Sequence, residues 1–165
     1  MTMIAAEQMT SLEALLRRAS QIAERQFNKW GVLDAFWLVE TAGGKQEIIV
    51  SQIPDNPQGK DALADTMREL FRVNGVQRYA VAFECWTCPS DKPAPAGSSA
   101  HHPNSSEAIV LIAEGGDDAC MSFRDIIRTS NGALLGKLGP INRPTYASGR
   151  FFGLLNVRPH SNTIT

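Results

Sequence analysis

The sequence predicts an α+β domain, a mostly antiparallel sheet of about six strands with two amphipathic helices packed on it. Three observations predict it. Two stretches repeat apolar residues at three- and four-residue steps, which is the period of a helix with one buried face. Several runs of four to eight residues are rich in β-branched and aromatic side chains, either alternating with polar ones or continuously apolar. Glycine pairs and an Asn-Gly step separate neighbouring runs, as tight hairpins require.

The first helix is predicted from Thr10-Ser11-Leu12-Glu13, a capping box in which hydroxyl and carboxylate satisfy each other's backbone amides. Leu12, Leu15, Leu16, Ala19, Ile22, Ala23, Phe27 and Trp30 make its apolar stripe, and Gly31 supplies the stop. The runs 35–40 and 45–52, joined by Gly43-Gly44, read as a hairpin. Residues 53–59 read as a loop, because Pro54, Pro57 and Gly59 remove donors and loosen the chain. A second helix is expected from Lys60 to Asn74, with Leu63, Met67, Leu70 and Phe71 inward, Asp65–Arg68 and Glu69–Arg72 pairs outward, and Gly75 at its end. It is expected to cover the sheet beside the first helix.

Val76 to Trp86 alternates, with Tyr79, Val81, Phe83 and Cys85 on one face and Arg78, Ala80, Ala82, Glu84 and Trp86 on the other. The alanines suit a closely packed helix. Residues 107–114 are almost unbroken in apolar character and predict a central strand covered on both faces. Gly115-Gly116 turns the chain into 119–129, where Met121, Phe123 and Ile127 alternate with Ser122, Arg124 and Arg128. Asn131-Gly132 leads into a sixth strand, 133–138, and Phe151-Phe152-Gly153-Leu154-Leu155 reads as a strand or a short helix. Residues 89–106, dense in Pro, Ser, Ala and His, read as a flexible loop inside a single domain spanning 1–165.

Composition narrows the functional classes. The chain has 165 residues, 43% of them hydrophobic, enough for one real core. Sixteen basic against seventeen acidic side chains give a net charge of -1, so no overall field draws in nucleic acid. No window reaches the roughly 18 apolar residues of a membrane span. The N-terminus lacks the pattern of a secretory signal, and three cysteines form an odd set, so a cytoplasmic location is expected.

Four patterns were candidates for chemistry. Cys85 and Cys88 with His101 or His102 offer two thiolates and an imidazole for tetrahedral zinc, yet the histidines are adjacent, where a finger needs them three to five residues apart. The same Cys-x-x-Cys closes a strand, whereas redox pairs sit at a helix N-terminus, and no His-x-Glu accompanies it as a zinc deaminase demands. Gly132 to Leu138 has its glycines one residue too close for a phosphate loop, and Leu138 stands where Ser or Thr belongs. Glu84 shares a face with Ala80 and Ala82, so it reads either as a buried acid-base group or as a strand-end ion pair with Arg124 or Arg128, the latter preferred. Trp37, Trp86, Phe123 and Phe151 read as core and not as a ligand cage. No catalytic residue, cofactor or metal is assigned.

Residues 67–86, through Phe71-Arg72-Val73-Asn74-Gly75 and Tyr79-Ala80-Val81-Ala82-Phe83-Glu84-Cys85-Trp86, resemble small uncharacterised bacterial α+β proteins with no assigned function. The resemblance continues through His102-Pro103-Asn104 to Gly149-Arg150-Phe151-Phe152-Gly153, roughly the last two thirds of the chain. It implies a fold and no reaction, and it implies that Cys85 and Cys88 are not shared features. The expected function is a non-enzymatic binding or regulatory module acting through protein contacts, with an unknown partner or a second copy. A small metal-binding protein or metal-dependent hydrolase, and a small-ligand-binding domain, are the alternatives.

Overall fold

A computed structural model describes residues 2–87, 106–143 and 151–155. The elements follow the order α1 (Thr2–Trp30), β1 (Phe36–Thr41), β2 (Gln46–Val50), α2 (Pro57–Val73), β3 (Val76–Thr87), β4 (Ser106–Gly115), β5 (Asp118–Thr129) and β6 (Gly132–Leu135). All six strands join one antiparallel sheet in the order β2-β1-β3-β4-β5-β6. The α+β class is therefore correct, and β4 lies inside the sheet as its unbroken apolar run requires. No helix among the described residues is long and apolar enough to cross a membrane.

The layering departs from expectation. The two helices do not lie side by side. They cover opposite faces. Leu12, Leu15, Leu16, Ala19, Ala23 and Phe27 of α1 pack with Phe36, Leu38, Ala80, Ala82, Ile109, Leu111 and Ala113. Ala64, Met67 and Phe71 of α2 pack with Trp37, Val39, Tyr79, Val81, Val110 and Ile112, together with Phe151, Phe152 and Leu154. Successive strand residues point to opposite faces, so Phe36-Trp37-Leu38-Val39, all four buried, feeds both layers at once. Ala80 and Ala82 let α1 approach closely, as their size predicts.

The helix ends differ too. The segment before Thr10 contains no breaker, so α1 continues back to Thr2 and Thr10 lies inside the helix, not at its cap. At the other end Gly31 adopts φ 70° and its amide donates to the Phe27 carbonyl at 2.7 Å, the left-handed stop expected of it. Pro57 does not exclude helix, because the first helical position has no amide partner to lose. The second helix accordingly starts at Pro57, three residues before Lys60, and the Asn56 side chain caps it by accepting from Gly59 N at 2.6 Å. Asn56→Ala is expected to cost about 1 kcal/mol, read as a lower urea midpoint at unchanged slope.

Several apolar side chains assigned to the core are exposed. Trp30 is 67% accessible, with the Lys29 ammonium 4.9 Å from its ring centre, and Leu70, Trp86 and Phe123 are also exposed. On β5 the expected sides are reversed: Ser122, Arg124 and Ile126 are buried beneath α1, while Phe123 and Ile127 face out. The sixth strand closes at Leu135 instead of 138. Beyond it the chain still follows β5, with Gly136 N on Asp125 O at 2.7 Å and Gly139 N on Phe123 O at 2.9 Å. Gly132 and the residues after it thus form a hairpin and not a phosphate loop. Residues 151–155 are a turn, neither strand nor helix.

Candidate functional site

Of the residues singled out by sequence for chemistry, Cys85 and Glu84 lie among the described residues, on opposite faces of β3. Cys85 is half-buried on the α2 face of β3, and burial raises its thiol to about 11, so it is not a poised thiolate. Cys88, His101, His102 and nearly all of the 89–106 loop lie outside the described residues. Among the described residues no group of three His, Cys, Asp or Glu side chains is placed to hold a metal ion. Cys120 sits in the α1 core with its thiol likewise raised to about 11 by burial.

Glu84 is tied to the backbone. Its Oε1 accepts from Leu33 N at 2.8 Å, holding the connection between α1 and β1 against the end of β3. The expected strand-end ion pair forms instead on its neighbour: Arg128 donates from Nε and Nη2 to Glu107 at 2.7 and 3.0 Å. That hydrogen bonding holds the Glu107 carboxyl below its usual range. Arg124 pairs with neither Glu84 nor Glu107. Only 6% exposed, it donates from Nε to Gly136 O at 2.7 Å and from Nη1 to Ser20 Oγ at 3.2 Å, with Glu24 at 3.4 Å. It fastens α1 to the β5–β6 margin.

The buried acid that sequence reading missed is Glu114, 4% exposed at the end of β4. It is in phase with Val110 and Ile112 and so points into the α2 layer. Its Oε2 accepts from Gly153 N at 2.7 Å, where Gly153 takes φ 71°, and Oε1 has no partner. Beside it, Tyr79 donates to Phe151 O at 2.6 Å. Burial raises the Glu114 carboxyl, opposed by the amides of Gly153, Leu155 and Leu154. Burial, reinforced by the Glu114 charge and opposed by the Leu154 backbone and Arg68, holds the Tyr79 phenol well above its usual value. Both groups secure the 151–155 turn to the sheet.

An acid raised in the folded state destabilises that state when ionised. Its cost is relieved as pH falls through the folded pKa and is gone below the unfolded value of about 4.5. The stability of the native protein relative to Glu114→Gln should therefore rise between neutrality and pH 4.5, measured as the difference between two urea series. A difference that falls with acid would mean that the amides around the carboxylate outweigh its burial.

An open concavity lies on the other face, between α1 and the β2-β1-β3 margin. It has a volume of about 580 Å³ and is lined by Ser11, Leu15, Arg17, Arg18, Glu40 and Arg78, among others. Register places Gln46, Glu40 and Arg78 in one row across three strands. Gln46 Nε2 donates to Glu40 Oε2 at 2.9 Å, while Arg78 donates through Nη2 to Glu40 Oε1 and through Nη1 to Ser11 Oγ. Gly115, the partner of Arg78 on β4, leaves the room its stem occupies, since a Cβ there would collide with Arg78 Cγ. The arginine is thus spent on holding Glu40 and α1. Arg17 and Arg18 remain exposed and are in no ion pair among the described residues.

Two and four residues beyond Gln46 on the same face of β2, Ile48 and Val50 are 49% and 60% exposed. They extend the rows Leu38–Ile48 and Phe36–Val50, whose inner members are buried. The backbone beside them is also open. Ser51 N donates to Ala35 O and Thr41 N to Lys45 O, which commits the odd-numbered residues of β2 to β1. The amides and carbonyls of Gln46, Ile48 and Val50 therefore point away from the sheet. This margin joins aliphatic surface with backbone groups and cations that have no partner among the described residues, which suits contact with another chain. Comparison with family models, with curated proteins and with solved structures finds no match.

Proposed function

We propose that the protein is a non-enzymatic binding module working through protein contacts, and that its contact element is the free edge of β2, which pairs with β2 of a second copy. The observation that carries this reading is the coincidence, at one edge, of outward backbone groups and exposed Ile48 and Val50. A free edge strand is a template for another strand unless charge, proline or a bulge blunts it. Here Lys45 and Glu47 occupy each other at 2.8 Å. Two-fold antiparallel pairing centred on Ile49 sets Ile48 opposite the second copy's Val50 and Glu47 opposite its Ser51. That register pairs aliphatic side chains and opposes no like charges.

Light scattering after size exclusion over a dilution series tests it. The native chain should be a dimer that dissociates on dilution. Ile48→Pro removes an outward amide without costing the β1 ladder a bond, and Val50→Lys puts a charge on the edge; both should be monomers with native circular dichroism. A native chain that stays monomeric at the highest concentration, or a dimer that both variants preserve, would overturn the proposal.

A further inference from the structure

The groove between α1 and β2 has a floor and a wall of different chemistry. Gln46 lines the concavity, and on the same face of β2 the aliphatic Ile48 and Val50 follow it, both exposed. The wall is basic. Arg17 and Arg18 line the concavity, and Arg25 and Lys29 stand exposed about two and three turns further along α1. None of these four cations is in an ion pair among the described residues. Three nearby carboxylates are committed elsewhere: Glu40 to Arg78 and Gln46, Glu24 to Arg124, and Glu47 to Lys45 on the other side of β2. On α1 itself the described carboxylates near these four cations are Glu13 and Glu24, fewer than the cations they face.

From this complementarity we infer that the groove docks an acidic, amphipathic segment of a partner protein, with apolar side chains on Ile48 and Val50 and carboxylates on Arg17 and Arg18. Guanidinium groups favour such a ligand because their forked donors match a carboxylate in pairs. The aliphatic floor sets this occupant apart from a nucleic acid, which single-strand sites hold by stacking bases on aromatic rings. The inference rests on the reading of this margin as a protein-contact surface. It does not require self-association, because edge pairing lies in the plane of the sheet and the groove lies on its face.

Fluorescence anisotropy with three labelled probes tests it on the full chain. The first is an amphipathic peptide of about four helical turns with leucine on one face and glutamate on the other. The second replaces every glutamate by lysine, and the third is a single-stranded oligonucleotide of similar length. The glutamate peptide is expected to bind saturably, more weakly as salt rises, and the other two not to bind. Arg17→Glu with Arg18→Glu should weaken it at least about tenfold, Ile48→Ser should weaken it too, and Arg72→Glu on the opposite layer should leave it unchanged. Equal binding of the two peptides, no binding of either, a tighter oligonucleotide, or an affinity indifferent to the double reversal would each overturn the inference. A dimer that binds no peptide would sink this inference alone, whereas a monomer that binds the glutamate peptide would sink only the pairing of β2 edges.

Discussion

Trp37→Ala is expected to cost about 3–5 kcal/mol, the range for emptying the site of a large buried aromatic side chain. The indole is fully buried between β1 and the α2 layer. Its ring lies edge-on to Phe71 at 5.8 Å and to Phe151 at 5.4 Å, and tilted against Tyr79 at 5.9 Å. Its Nε1 donates to Ser51 Oγ at 2.9 Å. One side chain thus joins α2, β3, the end of β2 and the 151–155 turn. Chemical denaturation should show the loss in full, and Trp37→Phe should recover much of it, because the ring contacts survive while Ser51 loses its donor. A loss below about 1 kcal/mol for the alanine variant would mean that the α2 layer does not pack as a unit.

Arg124→Ala ranks next, at about 3 kcal/mol, since each buried carbonyl left without its donor costs about 1–3 kcal/mol. Gly136 O and Ser20 Oγ lose donors together. The ion pair with Glu24 adds little, because that carboxylate is about half exposed. Arg124→Lys should rescue only part of the loss, as a single ammonium does not reach a strand carbonyl and a helix hydroxyl in the fixed geometry of a guanidinium fork. Thermal unfolding of the three proteins at one pH separates these outcomes. Equal stability of the lysine variant and the native chain would show that charge, not the fork, does the fastening.

Strand positions were legible because period-two patterns survive any arrangement of layers. Val76 to Trp86 alternates as its strand does, and the unbroken run 107–114 announced burial on both faces. The face taken by α2 was not legible. An apolar stripe reports that a helix is covered, not by which side of a sheet, although the runs Phe36-Trp37-Leu38-Val39 and 107–114 both called for cover on two sides. The reversal on β5 has a related cause. Binary patterning places Arg124 outside, yet a guanidinium with carbonyl and hydroxyl partners is satisfied beneath α1, and those partners lie 12 and 104 residues away in the chain. Phe123 and Ile127 then fall on the α2 side of the sheet, out at β5 beyond the strands that α2 covers.

The candidate site was less legible than the fold. Attention went to Cys85 and Glu84 because their residue types carry chemistry, whereas the margin that is open is made of ordinary residues: Gln46, Ile48, Val50, Arg17 and Arg18. What makes them a site is which backbone groups of β2 remain unpaired, and that follows from strand order, which no local pattern reveals. Glu114 was missed for a simpler reason. It closes an apolar run and looks like a strand terminus, although its phase with Val110 and Ile112 already placed it on an inner face, and its partner Gly153 is 39 residues away.

The account turns on β2 being a free, competent edge, and amide hydrogen exchange followed residue by residue by NMR reads that edge directly. In dilute protein the amides of Glu47 and Ile49 should exchange slowly, as members of the β1 ladder, while those of Ile48 and Val50 exchange fast. As concentration rises, Ile48 and Val50 should become protected with the same midpoint as dimer formation. Ile48 and Val50 amides already protected in the dilute monomer, or exchange at both that ignores concentration, would contradict it.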